Sequence, residues 1–264
     1  MTQKKPNKDI QLEFAGKHQE IAVVRLSRPA KRNALNDALI LALRELFENM
    51  PASVRAAVIH GEGTHFCAGL DLGELQERDA GQGMHHSRMW HAALERVQYG
   101  PVPVIAALHG AVVGGGLELA SACHIRVADT SAFYALPEGS RGIFVGGGGS
   151  VRIPKLIGVA RMTDMMLTGR VYNAEDGERA GFAQYLVPEG QAFDKALALA
   201  QRVADNAPLT NYALMHALPR IAEQPADQGF FTEALMAAIV QNAPEAKTRV
   251  KAFLEGKAGK VSKS

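Results

Sequence analysis

The chain has 264 residues, enough for one large hydrophobic core with an appendage. Hydrophobic residues at 47% and charged residues at 21% exclude the disordered and fibrous classes. A balance of 29 basic against 27 acidic residues, +2 overall, provides no field for gathering nucleic acid or an anionic membrane. The two cysteines, Cys67 and Cys123, are too few for a disulfide scaffold or a four-ligand metal site. With no apolar leader and no apolar run of the ~18 residues a membrane helix needs, a cytoplasmic location is expected.

In chain order, the first strong signal is the β-rich run Ile21–Leu26, closed by Arg28-Pro29. Leu35, Leu39, Leu43, Leu46 and Phe47 then predict a helix. Residues 56–60 repeat the strand signal before Gly61-Glu62-Gly63, and Val104–Leu108 repeats it before His109-Gly110. Strands alternating with helices predict a parallel α/β arrangement, although no fixed repeat is visible. Beyond about Pro188 the strand signals stop, and helices broken at Asn206-Ala207-Pro208, Pro219, Pro225 and Pro244 follow. This sets residues 1–200 apart from a helical region over 201–264. There Leu235, Met236, Ile239 and Val240 exceed what a thin appendage can bury, and call for another subunit.

The glycine-rich stretches do not fit phosphate loops. None is followed by the Lys-Ser or Lys-Thr of a P-loop, and residues 110–116 lack the dinucleotide spacing. The glycine-flanked serine of hydrolases fails at Ser140, where position 138 is Glu, and at Ser150, where position 152 is Arg. A helix over residues 117–123 would instead present the Gly115 N–H to an anion. A tight strand-to-helix packing turn accounts for the same glycines equally well. His85, His86 and His91 beside Trp90 do not have the spacing of a helical zinc pair, and a lone Cys67 reads as packing.

Three segments, in order, carry a resemblance. They are His65-Phe66-Cys67-Ala68-Gly69-Leu70-Asp71-Leu72, then His109-Gly110-Ala111-Val112-Val113-Gly114-Gly115-Gly116-Leu117-Glu118-Leu119-Ala120, and Tyr134-Ala135-Leu136-Pro137-Glu138 running on to the glycines 146–149. Together with Asn33-Ala34-Leu35 and Leu167-Thr168-Gly169-Arg170, they resemble the signatures of the crotonase superfamily, most nearly its enoyl-CoA hydratases, over about residues 20 to 190.

The resemblance implies an α/β fold, a crotonase-type spiral of β-β-α units with a C-terminal helical trimerisation region. It implies hydration of a 2-enoyl-CoA to a 3-hydroxyacyl-CoA in fatty acyl metabolism, with coenzyme A as part of the substrate and no metal or other cofactor. The N–H groups of Leu70 and Gly115 would form the oxyanion hole, Glu118 and Glu138 the catalytic pair, and Gly146 would position water. Ala68, Lys31, Arg32, Arg141 and Lys257 would bind substrate, Lys257 from another subunit. Residues 73–100, which include Gly81 and Gly83, read as a mobile flap over the acyl chain. A homotrimer or dimer of trimers is implied, with no nucleic-acid or membrane partner.

The sequence departs from many hydratases at His124, where Asp is common, at Gly73, where some members carry a lysine, and at Ser140-Arg141 and Val145 beside the acyl pocket. An enoyl-CoA isomerase, or a carbon–carbon bond hydrolase working through the same enolate, shares these signatures. An inactive scaffold binding RNA is a reading from another class, against which the near-neutral charge counts.

Overall fold

A computed structural model describes residues 7–74 and 77–257. The lysine-rich ends, residues 1–6 and 258–264, lie outside the described residues, as do positions 75 and 76 within the expected flap. The chain divides between Val203 and Ala204 into two compact units.

The first unit opens with an antiparallel pair, β1 (Ile10–Ala15) and β2 (Ile21–Leu26), followed by α1 (Asp37–Glu48) and β3 (Ala56–Gly61). Then come α2 (Ala80–Gln98), β4 (Val104–Leu108), β5 (Ala111–Val113), α3 (Gly115–Ala122), β6 (Ile125–Asp129) and β7 (Phe133–Ala135). A 3-10 turn at Gly139–Arg141 leads into α4 (Gly149–Ile157), α5 (Val159–Thr168), β8 (Tyr172–Asn173), α6 (Ala174–Ala180), β9 (Tyr185–Val187) and α7 (Ala192–Ala204). Six strands form one sheet in the order β1-β2-β3-β4-β6-β9, parallel from β2 onward. The short strands β5, β7 and β8 form a second sheet.

The spiral follows from how successive turns stack. After β2, β3, β4 and β6, the chain makes a second, shorter backbone contact before its helix. Leu35 bridges Leu70, Cys67 bridges Val112, and β5 runs parallel to β7. Thus β2, Leu35 and α1 make one turn, β3, residues 67–70 and α2 the next, β4, β5 and α3 the third, and β6, β7 and α4 the fourth. All five residues of β4 are buried, as expected of a parallel strand covered on both faces. The Asn36 side chain accepts from the Leu39 N–H at 2.8 Å and caps α1, a contact worth about 1 kcal/mol, while Leu39, Ile40, Leu43 and Phe47 form the buried stripe.

Residues 80–98 are not a loop. The Asp79 side chain and Gln82 form a capping box that starts α2, and Trp90, Ala93, Leu94 and Val97 bury one face of this 19-residue helix. The expected flap therefore gives way to a packed wall. Gly83 is half-buried and a Cβ there would touch nothing, so here glycine marks a helix position with open space beside it rather than a hinge.

The second unit contains α8 (Pro208–His216), α9 (Leu218–Ile221), α10 (Ala226–Asn242) and α11 (Pro244–Leu254). Pro208 and Pro244 stand at the first turn of their helices, Pro219 near the start of α9, and Pro225 caps α10, so each proline opens a helix where its missing N–H does no harm. On α10 and α11, Phe230 is 71% exposed and Leu254 78%, with Phe231, Leu235, Ile239, Val250 and Phe253 also exposed. Among the described residues, no helix is long and apolar enough to cross a membrane.

Candidate active site

The site is built around α3, whose eight residues are all buried. The helix starts at Gly115, two residues earlier than its apolar pattern alone indicates, and β5 separates it from β4. Gly114, just before it, adopts φ +52°, and a Cβ there would lie 2.7 Å from Glu138 Oε1, so only glycine lets the chain turn beside that carboxylate. Gly115 is the first helical residue, and its N–H has no intrahelical acceptor.

A second main-chain N–H lies close by. Leu35 N–H donates to Gly69 O at 2.7 Å, and Asp71 N–H donates to Leu35 O at 2.8 Å. The planar trans peptide that turns Gly69 C=O toward Leu35 turns its own N–H, that of Leu70, the opposite way. Gly115 is close to that group, for a Cβ there would lie 3.5 Å from the Leu70 nitrogen. Cys67 fixes the arrangement by pairing with β5, its N–H donating to Ala111 O at 2.9 Å and its carbonyl accepting from Val113 N–H at 3.0 Å. The segment is also tied down by Asp71, which pairs with Arg28 at 2.8 Å and Lys31 at 3.4 Å. The thiol of Cys67 is buried and pushed up to about 12, so it packs rather than reacts.

Glu118, in the first turn of α3, is 4% exposed, and its Oε1 accepts from the N–H groups of Gly147 and Gly149, both at 2.8 Å. A Cβ at Gly149 would lie 2.9 Å from that oxygen, so the close approach depends on glycine. Burial raises the Glu118 carboxyl above its usual range, while the Gly149 and Gly147 N–H groups and the Arg152 charge pull it back. Glu138 comes from the start of the 3-10 turn and is 8% exposed. Its Oε2 has no hydrogen-bond partner among the described residues. Burial raises it too, and the Glu118 charge adds to the rise, so the two carboxylates feel each other.

The remaining expected site residues divide. Ala68 N–H donates to Arg32 O at 2.9 Å, which sets the exposed Lys31-Arg32 turn beside the Leu70 segment. Arg141 is exposed at the end of the 3-10 turn, and its charge lowers Glu138. Gly146 lies at the head of the loop that holds Glu118, its carbonyl accepting from Ser87 Oγ at 2.6 Å. Lys257 belongs to the second unit, where it pairs with Glu255 at 2.7 Å.

The histidines flagged in the sequence have other partners. His86 Nε2 lies 2.7 Å from Asp37, which also accepts from Trp90 Nε1 at 3.1 Å, and the Trp90 ring edge would stand 3.2 Å from a Cβ on Gly115. His124 Nδ1 accepts from Val104 N–H at 2.9 Å and its Nε2 faces Gln98 O at 2.9 Å, so an imidazole ties the start of β4 to the end of α2. Among the described residues, no group of three His, Cys, Asp or Glu side chains is placed to hold a metal ion.

Comparison with known proteins decides the family. The enoyl-CoA hydratase/isomerase family model matches residues 16–261. The chain belongs to that family. The 2,3-dehydroadipyl-CoA hydratase of Escherichia coli is 32% identical over 246 residues, covering 92% of this chain and 95% of its own. A crystal structure from Rhodopseudomonas palustris, described provisionally as an enoyl-CoA hydratase, is 59% identical with a TM-score of 0.91, covering 94% of this chain and 95% of that one. The enoyl-CoA hydratase of Bacillus anthracis is 30% identical with a TM-score of 0.87, covering 96% and 98%. The fold of this family member is accordingly the crotonase spiral.

Proposed function

We propose that the protein hydrates a 2-enoyl-CoA thioester to the 3-hydroxyacyl-CoA, adding water oxygen to Cβ and a proton to Cα. The observation that supports this reading is the placing of two buried carboxylates, Glu118 and Glu138, around two main-chain N–H groups, those of Leu70 and Gly115. Conjugate addition builds enolate charge on the thioester oxygen, and preorganised donors act where that charge develops. Glu118 holds and deprotonates the water with help from the Gly146 N–H, and Glu138 delivers the proton to Cα. Ala68, Lys31 and Arg32 flank the coenzyme A moiety, Lys257 contributes from another subunit, and no further cofactor takes part.

Moving a double bond needs one carboxylate shuttling a proton, whereas hydration is served by two. Hydratase activity is therefore expected to exceed isomerase activity on any shared acyl-CoA. A library of enoyl-CoA thioesters, read by mass spectrometry for the gain of one water, tests this. If no member gains water, the reading is wrong.

The acyl group is a finer matter. The Escherichia coli relative is named for a dehydroadipyl group, which ends in a second carboxylate, and Arg141 is the guanidinium beside Glu138. An exposed ion pair is worth about 0.2–1 kcal/mol, up to roughly fivefold in affinity. Arg141→Ala is thus expected to cut the preference for a carboxylated enoyl-CoA over crotonyl-CoA by up to about fivefold. An unchanged ratio of kcat/KM values removes Arg141 from substrate selection.

The exposed apolar residues of α10 and α11 support a homotrimer or a dimer of trimers, in which those faces are covered. Sedimentation equilibrium should give three or six times the chain mass of 28.3 kDa, and a monomer rules this out.

A further inference from the structure

Arg152 breaks a local rule. It sits in the first turn of α4, where the helix dipole is positive and acidic residues are favoured, yet it carries a guanidinium that is only 8% exposed. Burying a cation against a helix N-terminus costs free energy, so the contacts it makes there need a reason. Its Nη1 donates to Gly147 O at 2.9 Å and its Nε donates to Gln98 Oε1 at 2.7 Å, both neutral acceptors. It thereby joins the end of α2 to the glycine loop that carries the two donors to Glu118.

The same loop is held from α2 at a second point. Ser87 Oγ donates to Gly146 O at 2.6 Å, which uses its only proton, so His91 Nε2, 3.2 Å away, must donate to that hydroxyl. The peptide whose carbonyl Ser87 takes is the one whose N–H, that of Gly147, donates to Glu118. In a trans peptide these two groups point in opposite directions, so the pull on the carbonyl aims the N–H. Hydrogen bonds in such a chain strengthen one another.

We propose that Arg152 and Ser87 are positioning residues for Glu118, holding residues 146–149 so that its carboxylate is gripped by two N–H groups and faced by one buried positive charge. Neither touches the reacting atoms. Because this concerns how Glu118 works as the base, it rests on the hydration reading. The charges in play are few. Glu118 is faced by Arg152 from α4 and exerts its own charge on Glu138 in the 3-10 turn. Arg152 is faced by Glu95 from α2, Glu118 and Cys123 beside α3, and Tyr99 just past α2, with His91 of α2 also within its field. Glu95 of α2 is thus the other carboxylate whose charge acts on Arg152, and Arg152 is the cation whose charge acts on Glu118. Replacing Arg152 by a neutral residue removes a charge that opposes the effect of burial, and the carboxylate then accepts a proton at higher pH.

The test pairs the pH dependence of kcat and KM on crotonyl-CoA with carboxyl-carbon NMR of glutamate-labelled, ligand-free protein, the Glu118 signal being assigned by its loss in Glu118→Gln. In Arg152→Gln, the acidic limb of kcat and the Glu118 titration should both move up by about one pH unit, a tenfold loss of kcat at the acidic end, with KM near native. Arg152→Lys should restore most of the profile. Ser87→Ala should move the titration in the same direction by about half as much. If Arg152→Gln does not fold, Ser87→Ala decides. A folded variant in which Glu118 titrates as in the native protein overturns the proposal, and so does a loss that is equal at every pH and not rescued by lysine. If the native protein hydrates no enoyl-CoA while the Glu118 titration still moves in the variants, the hydration reading fails and the positioning role stands.

Discussion

Glu118→Gln and Glu138→Gln are each expected to lower hydration of the preferred thioester by about 100-fold or more, with thioester binding near native. In Glu118→Gln the new amide oxygen can still accept from the Gly147 and Gly149 N–H groups, so the loop keeps its anchor and only the basic electron pair is lost. Folding should not suffer. The Glu118 carboxyl is raised above its ordinary value, which means the fold disfavours its charged form, and the resulting destabilisation grows as pH rises past the unfolded value of 4.5. A neutral amide removes that cost, so at neutral pH this variant should melt no lower than the native protein. Steady-state kinetics on purified protein, with melting curves alongside, measures both. Full activity in either folded variant sinks the two-carboxylate mechanism.

Gly115→Pro is the second large expected loss. Removing one donor from a site of this type costs on the order of 10²–10³ in rate. Proline is well suited to the first position of a helix, where the N–H is unpaired in any case, so the substitution deletes the donor while respecting the backbone of α3. The tight neighbour is the Trp90 ring edge, 3.2 Å from a Cβ at this position, which must shift by a few tenths of an ångström. Turnover should fall to near background while circular dichroism keeps its native form. Native turnover in a folded Gly115→Pro protein would place the oxyanion hole elsewhere.

Much of this could be read from residue order because the informative residues are local. Val104–Leu108 is a continuous apolar run and Ile21–Leu26 an apolar run interrupted by Arg25, and the structure shows strands with those bounds. The segments around Leu70, Gly115, Glu118 and Glu138 do meet, since the parallel stacking of successive turns brings their short backbone contacts together. Three kinds of feature depart from that local reading. Strands β5, β7 and β8, of two or three residues, are too short to show a period. In α2, Gly81 and Gly83 suggested a flexible segment, although Trp90, Ala93, Leu94 and Val97 have helical spacing and Asp79 with Gln82 marks a start, a signal that was present and outweighed. Arg152 and Ser87 have no local signal for their role, because what distinguishes them is where the carbonyls of Gly147 and Gly146 come to rest, the latter 59 residues from Ser87.

The complete burial of α3 separates two kinds of heritable variation. Any change within Gly115–Ala122 must first survive packing on all sides, so folding filters mutations there before catalysis can. In the neighbouring 3-10 turn and the residues after it, Ser140, Arg141, Ile143 and Phe144 are exposed, Phe144 by 69%, and their side chains accept change with little effect on stability, whereas Gly139 and Gly142 do not. On the proposed reading, descendants of this chain can therefore drift from one acyl group to another while the enolate-forming step stays fixed, and innovation in what is recognised outpaces innovation in what is done to it.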